Sequence, residues 1–306
     1  MELIIINTLL FEEHTDMLLE ILEKSNIDNK EKEYRKNELL KVYSKMVETR
    51  KIDNKYYNIS HEIRTLDFLS NFNNLYIAQD HLSKPGCDFK ISDKYKIECV
   101  CSSSGNEKLN GLNKFHGSGM FDYNKKEQII LTRLTQSIKE KKQFYIEHIN
   151  NGTISVNMPY IIFLGLGNLS YETFAGTFGF LLNKILFGVG QEVLLINKKT
   201  NKVEKVEYSH NLNIKKHNGV EIDCNIFCNS DYDCVSGILF STASLGEKYN
   251  KNNTFLFINP HAKNKIKAYD FPNIIYWKAK KENNNYIYLP RYRGKNLNNY
   301  LKKHYW

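Results

Sequence analysis

No run of about 18 apolar residues occurs in the 306-residue chain, which excludes a transmembrane helix. The longest apolar stretches, near Tyr160–Leu166 and Phe178–Val189, are broken by Gly and Asn. The first ten residues are apolar but have no basic leader and no small-residue cleavage site, so they read as a strand or helix of the fold, not a secretion signal. Nucleotide and hydrolase signatures are also missing. There is no Walker A loop, no G-x-S-x-G and no H-E-x-x-H, and the isolated Gly165-Leu166-Gly167 and Gly188-Val189-Gly190 do not form a G-x-G-x-x-G fingerprint. Six cysteines, at 87, 99, 101, 224, 228 and 234, do not supply the two closely spaced pairs of a structural zinc site. They are expected to be reduced, small and buried, in a cytoplasmic protein.

What is present is an ordinary globular composition. Hydrophobic residues make up 42% and charged residues 25%, and 20 Tyr and 17 Phe supply bulk for a core. The formal charge is +9, and its distribution is uneven. Between Tyr276 and Trp306 stand eight basic residues (Lys278, Lys280, Lys281, Arg291, Arg293, Lys295, Lys302 and Lys303) against Glu282 alone, so this stretch carries +7 of the total. Cations interleaved with aromatic rings suit a phosphate backbone and stacked bases, which makes these eight side chains candidates for nucleic-acid binding. A solvated C-terminus whose rings pack on the domain would look the same.

Hydrophobic periodicity divides the rest. Residues 9–50 show two apolar helical stripes, from Leu9 to Leu22 and from Leu39 to Met46, and predict antiparallel amphipathic helices. A third helix is expected over 58–72, capped by Ser60. The period then shortens. Leu75–Ile77, Cys87–Ile91 and Tyr95–Cys101 read as strands, the last two joined by a hairpin turn at Ser92–Lys94. Ser102–Lys126 is a Gly-, Asn- and Ser-rich loop, and Glu127–Asn150 is the clearest helix. A buried strand at Pro159–Gly165 and a helix within Leu169–Leu186 follow. After them come a hairpin of Val193–Ile196 with Val203–Tyr208, then strands at Val235–Ser241 and Thr254–Ile258.

The chemistry concentrates in Pro85-Gly86-Cys87-Asp88-Phe89-Lys90-Ile91 and Lys96-Ile97-Glu98-Cys99-Val100. Two acids ten residues apart converge across a short hairpin, and neighbouring carboxylates repel unless a cation lies between them. Hard oxygen donors suit Mg²⁺ or Mn²⁺, which can activate water and stabilise charge on a phosphoryl group. Glu98, inside an apolar strand, needs a partner or a metal.

These residues resemble the PD-(D/E)xK nuclease superfamily, whose pattern is Pro-Asp, a hairpin and Glu-x-Lys. The wider order from Ser60 to Gly167 is similar to that of bacterial proteins with a degenerate restriction-endonuclease-like core. It runs through a helix with Glu62, the acidic hairpin, a Gly-rich loop, Leu131-Thr132-Arg133-Leu134-Thr135-Gln136-Ser137-Ile138-Lys139-Glu140-Lys141-Lys142, and Pro159-Tyr160-Ile161-Ile162. The resemblance implies that Asp88 and Glu98 are metal ligands and that Glu62 completes the set. It also implies that Gln136, Lys139 and Lys142 are auxiliary polar residues at the catalytic centre. Two departures stand out: Val100 occupies the lysine position, and Asp88 lies three residues after Pro85 instead of one. A lysine from the following helix, Lys139 or Lys142, is then expected to supply the missing cation; Lys90 and Lys96 should point elsewhere.

The expected fold is α/β, a central mixed sheet with flanking helices and a restriction-endonuclease-like core. Residues 1–57 form a helical N-terminal extension, 58–275 the nuclease-like core with additional strands, and 276–306 the basic aromatic segment, within one elaborated domain. The expected activity is Mg²⁺- or Mn²⁺-dependent cleavage of DNA. The rival is a catalytically degenerate member serving as a nucleic-acid or protein binding module, which Val100 favours. DNA is the expected partner, a membrane is not, and a homodimer is left open.

Overall fold

The computed structural model describes residues 2–70, 77–78, 87–91, 94–102, 123–167, 169, 178–210, 213–215, 219–271, 274–282 and 285–292. Helices α1 (Glu2–Lys24), α2 (Asn29–Thr49) and α3 (Asn54–Ser70) come first. Strands β1 (Ile77–Ala78), β2 (Phe89–Ile91) and β3 (Tyr95–Cys101) follow, then helix α4 (Tyr123–Asn150) and strand β4 (Tyr160–Gly165). Helix α5 (Phe178–Phe187) leads to a hairpin of β5 (Val189–Ile196) and β6 (Val203–His210), and to a smaller one of β7 (Asn213–Lys215) and β8 (Glu221–Asp223). The chain ends its described course with β9 (Gly237–Ser241), β10 (Thr254–Ile258), β11 (Ile275–Glu282) and β12 (Asn285–Tyr292).

The protein is thus α/β, as expected, with an eight-stranded mixed sheet in the order β1-β2-β3-β4-β9-β10-β11-β12. β1, β2 and β3 form an antiparallel meander, and β4 runs parallel to β3. A parallel neighbour demands a crossover, and α4 provides it. β4 is buried along its whole length, as a central strand covered on both faces must be. Alternate residues feed two cores. Ile162 and Leu164 point toward α4 and α5, with Leu134, Ile138, Leu182 and Phe227. Ile161 and Phe163 point toward α1–α3, with Leu18, Leu39, Ile63 and Leu66.

Several sequence-based boundaries move. The N-terminal stripe continues back to Glu2, and α3 starts at Asn54. Ser60 is not a cap: it lies buried inside α3, with its hydroxyl 3.2 Å from Nε2 of His14. The segment from residue 276 is not an appendage, because β11 pairs in parallel with β10 and β12 with β11, extending the main sheet. Part of the loop 102–126 and the start of the helix expected from 169 lie outside the described residues. Among the described residues no helix is long and apolar enough to cross a membrane.

Candidate active site

Because β2 and β3 run antiparallel, the residue just before β2 and the second half of β3 meet at one end of the sheet. Asp88 precedes β2, and its Oδ2 accepts the backbone N–H of Cys99 at 2.7 Å. Strand alternation then sorts the neighbours of that amide. Ile97 and Cys99 join the core under α3. Glu98 faces the opposite way, toward α4, where Lys141 Nζ donates to its Oε1 at 2.5 Å. Glu98 is 3% exposed, and its Oε2 has no hydrogen-bond partner.

A cavity of about 370 Å³ opens beside this pair. Asn58, His61 and Glu62 of α3 line one wall, and Arg133, Gln136, Ser137, Glu140 and Lys141 of α4 line the other. Asp88 and the end of β3, Cys99 to Cys101, complete the lining. Glu98 reaches it through Lys141.

The electrostatics follow from burial. Desolvation, with the charges of Glu98 and Glu62 nearby, pushes Asp88 up to about 8. Burial also raises Glu98, outweighing the opposing pull of Lys141. Burial works against the ammonium of Lys141, but the carboxylate of Glu98 holds its proton more firmly than in water. The cysteines beside the cavity are no nucleophiles: desolvation raises Cys99 well above the usual thiol range and Cys101 to about 12. His61 is no base. Burial lowers it to about 3, and both ring nitrogens are engaged, Nε2 with the carbonyl of Phe163 at 2.7 Å and Nδ1 with the hydroxyl of Tyr249 at 2.6 Å. A carbonyl only accepts, so Nε2 carries the proton and Nδ1 accepts from Tyr249.

Sequence reasoning brings Asp88, Glu98, Glu62 and Gln136 to this place, and the structure gathers them. It does not bring the expected lysines. Lys139 is exposed and absent from the lining. Lys142 turns the other way, with Nζ 4.2 Å from the ring centroid of Tyr232. The cation at Glu98 is Lys141, because Leu134, Ile138, Lys141 and Tyr145 advance by four, three and four residues and so share the sheet-facing stripe of α4. That spacing was available in the sequence. Gln136 donates to Glu140 Oε1 at 2.8 Å, on the cavity wall.

Glu62 is held from outside the cavity. Arg35 of α2 donates through Nη1 to Glu62 Oε2 and through Nε to Glu31 Oε1, each at 2.7 Å. Among the described residues no group of three or more His, Cys, Asp or Glu side chains is arranged to hold a metal ion. Two carboxylates are nevertheless a sufficient protein contribution for Mg²⁺, which keeps several waters. The unpartnered Oε2 of Glu98 and the carboxyl of Asp88 fit that requirement.

Of the eight C-terminal basic residues, Lys278, Lys280 and Lys281 lie on β11 and Arg291 on β12. Lys278 is exposed. Arg293, Lys295, Lys302 and Lys303 lie outside the described residues. No protein-family model, curated protein or solved structure matches the chain.

Proposed function

We propose that this chain is a metal-dependent, nuclease-like protein that hydrolyses phosphodiester bonds in DNA, with Mg²⁺ or Mn²⁺ held by Asp88 and Glu98. The observation that carries the reading is the buried Asp88–Glu98 pair, from adjacent antiparallel strands, with a helix-borne lysine on one Glu98 oxygen and the other unpartnered. Element order supports it: α3, β1, β2, β3, α4 and β4 form a helix, a three-stranded meander, a crossover helix and a parallel strand, the order of the core that the sequence resembles.

A divalent ion there would supply water activation and charge stabilisation. The chain's own groups do the rest. Lys141 stands where Val100 leaves the lysine position empty, and its ammonium can donate to a phosphate oxygen once a dication takes over the charge of Glu98. Arg133, on the same wall, offers a planar fork to non-bridging oxygens. Gln136 and Ser137 add neutral donors. Exposed Lys278 and the basic residues after it would hold the flanking backbone, in a salt-dependent way.

One observation favours a second reading. Lys141 and Arg35 already compensate Glu98 and Glu62 without a metal, as in a nuclease core kept for binding alone. Nicking of supercoiled plasmid in Mg²⁺ decides. Cleavage abolished by chelator, by Asp88→Asn and by Glu98→Gln, and reduced about 10²- to 10³-fold by Lys141→Met, supports the enzyme. No cleavage by wild type, with salt-sensitive DNA binding that survives Asp88→Ala plus Glu98→Ala, supports the binding module.

A further inference from the structure

We propose that Arg35 withholds Glu62 from the metal, so that the site takes one divalent ion on Asp88 and Glu98 alone, and that helix α2 is thereby a positioning element of the active site. The inference rests on the nuclease-like reading of the same cavity and departs from the three-carboxylate ligand set that the sequence suggests.

The argument is a comparison of two cations. Lys141 is a quarter exposed and carries its charge on a flexible four-carbon stem. It can swing off Glu98 when a dication arrives, and Glu98 keeps its second oxygen for that ion. Arg35 has no such freedom. Its side chain is 2% exposed, fixed by Glu31 on one side and Glu62 on the other. Its guanidinium carbon lies 5.4 Å from the ring centroid of Phe89, the residue after Asp88. Releasing Glu62 would strand a permanently charged guanidinium in the protein interior. Glu62 therefore stays on Arg35, at the cavity wall but committed. The absence of any three-acid metal arrangement among the described residues agrees with this.

The chemical consequence is a site with two protein ligands and one ion, whose remaining coordination positions are left for water and a phosphate oxygen. Arg35 touches no reacting atom. It acts by fixing where Glu62 points and by placing the start of β2, hence Asp88, through Phe89.

The test is titration of the full-length protein with Mn²⁺ alone, followed by loss of the free-ion paramagnetic resonance signal. The expected result is one ion per chain. Glu62→Gln keeps the wild-type affinity within about twofold, whereas Asp88→Asn and Glu98→Gln each weaken it by at least about tenfold. In Glu31→Gln plus Arg35→Met, Glu62 is released, and binding becomes tighter or gains a second ion; adding Glu62→Gln reverses that gain. Should the Arg35 variant fail to melt cooperatively, Glu62→Gln, with its 28%-exposed side chain, decides alone. Glu62→Gln weakening Mn²⁺ as much as Asp88→Asn overturns the proposal and leaves the nuclease reading standing. A folded Arg35 variant in which Glu62 still contributes nothing overturns the role given to Arg35. Wild type that binds no Mn²⁺ overturns both.

Discussion

Raising the pH of the metal-free protein is expected to loosen it, and Asp88 sets the size of the effect. In an unfolded chain this carboxyl titrates near 3.8; in the fold, burial and the neighbouring carboxylates raise it to about 8. Below both values it is protonated in either state and contributes nothing. Between them the unfolded chain releases the proton while the folded chain keeps it, so each pH unit favours unfolding by roughly 1.4 kcal/mol. Above about 8 the loss levels off. The full span sets a ceiling of roughly 5 kcal/mol on the stability lost, comparable with the whole stability of many domains. Glu98, also raised, pushes the same way. The assay is urea unfolding in the presence of chelator between about pH 5 and pH 9, on wild type and Asp88→Asn. Wild type should lose stability steadily with rising pH, and the variant should be flatter and more stable at the alkaline end. Parallel curves, or a wild type that gains stability as pH rises, would refute the burial argument.

Further outcomes follow from the same geometry. Mn²⁺ must displace the proton of Asp88, so its affinity should rise by up to about tenfold per pH unit and flatten near pH 8, read by titration calorimetry; a pH-independent affinity contradicts the assignment. Lys141→Met leaves buried Glu98 without its cation and should cost about 3–5 kcal/mol in chemical denaturation, while Lys139→Ala should change neither stability nor nicking appreciably. Gly165→Ala would place a methyl 2.9 Å from His61 Nδ1 and 3.0 Å from Cys101 Sγ, and a thermal melt should show a loss of about 1–3 kcal/mol. Tyr145→Ala removes a ring stacked on Tyr160 at 3.9 Å, with an expected loss of about 3–5 kcal/mol in the same assay.

The β2–β3 hairpin, α4, β4 and β10 were legible because period two and period 3.6 are strong in those segments. β3 and β10 fall on the strands expected from the sequence. Asp88 and Glu98 were legible too, as an acid beside a strand and an acid inside one. The two cations that neutralise the cluster were less so, for a shared reason. Lys141 interrupts the apolar stripe Leu134, Ile138, Tyr145, and Arg35 heads the stripe Leu39, Val42, Met46. Period marks both as inward-facing, but a charge on an inward stripe is easily taken for a break in the pattern. Its meaning depends on a buried acid from another element, Glu98 for one and Glu62 for the other, and that pairing is tertiary. The strand identity of 275–292 was obscured by its many Lys and Asn residues; partnership with β10, not propensity, sets it.

The hydrogen bond from Tyr249 to His61 spans 188 positions, which matters for the order in which the polypeptide is made. A ribosome releases Glu62, Asp88, Glu98 and Lys141 well before the hydroxyl that satisfies the imidazole beneath them. Until residue 249 emerges, α3 has a buried ring nitrogen with no donor, and α3 carries Glu62. The nascent polypeptide therefore holds its acidic cluster in an unfinished state for much of its synthesis, and the cluster acquires its final seat only when translation is more than three-quarters complete.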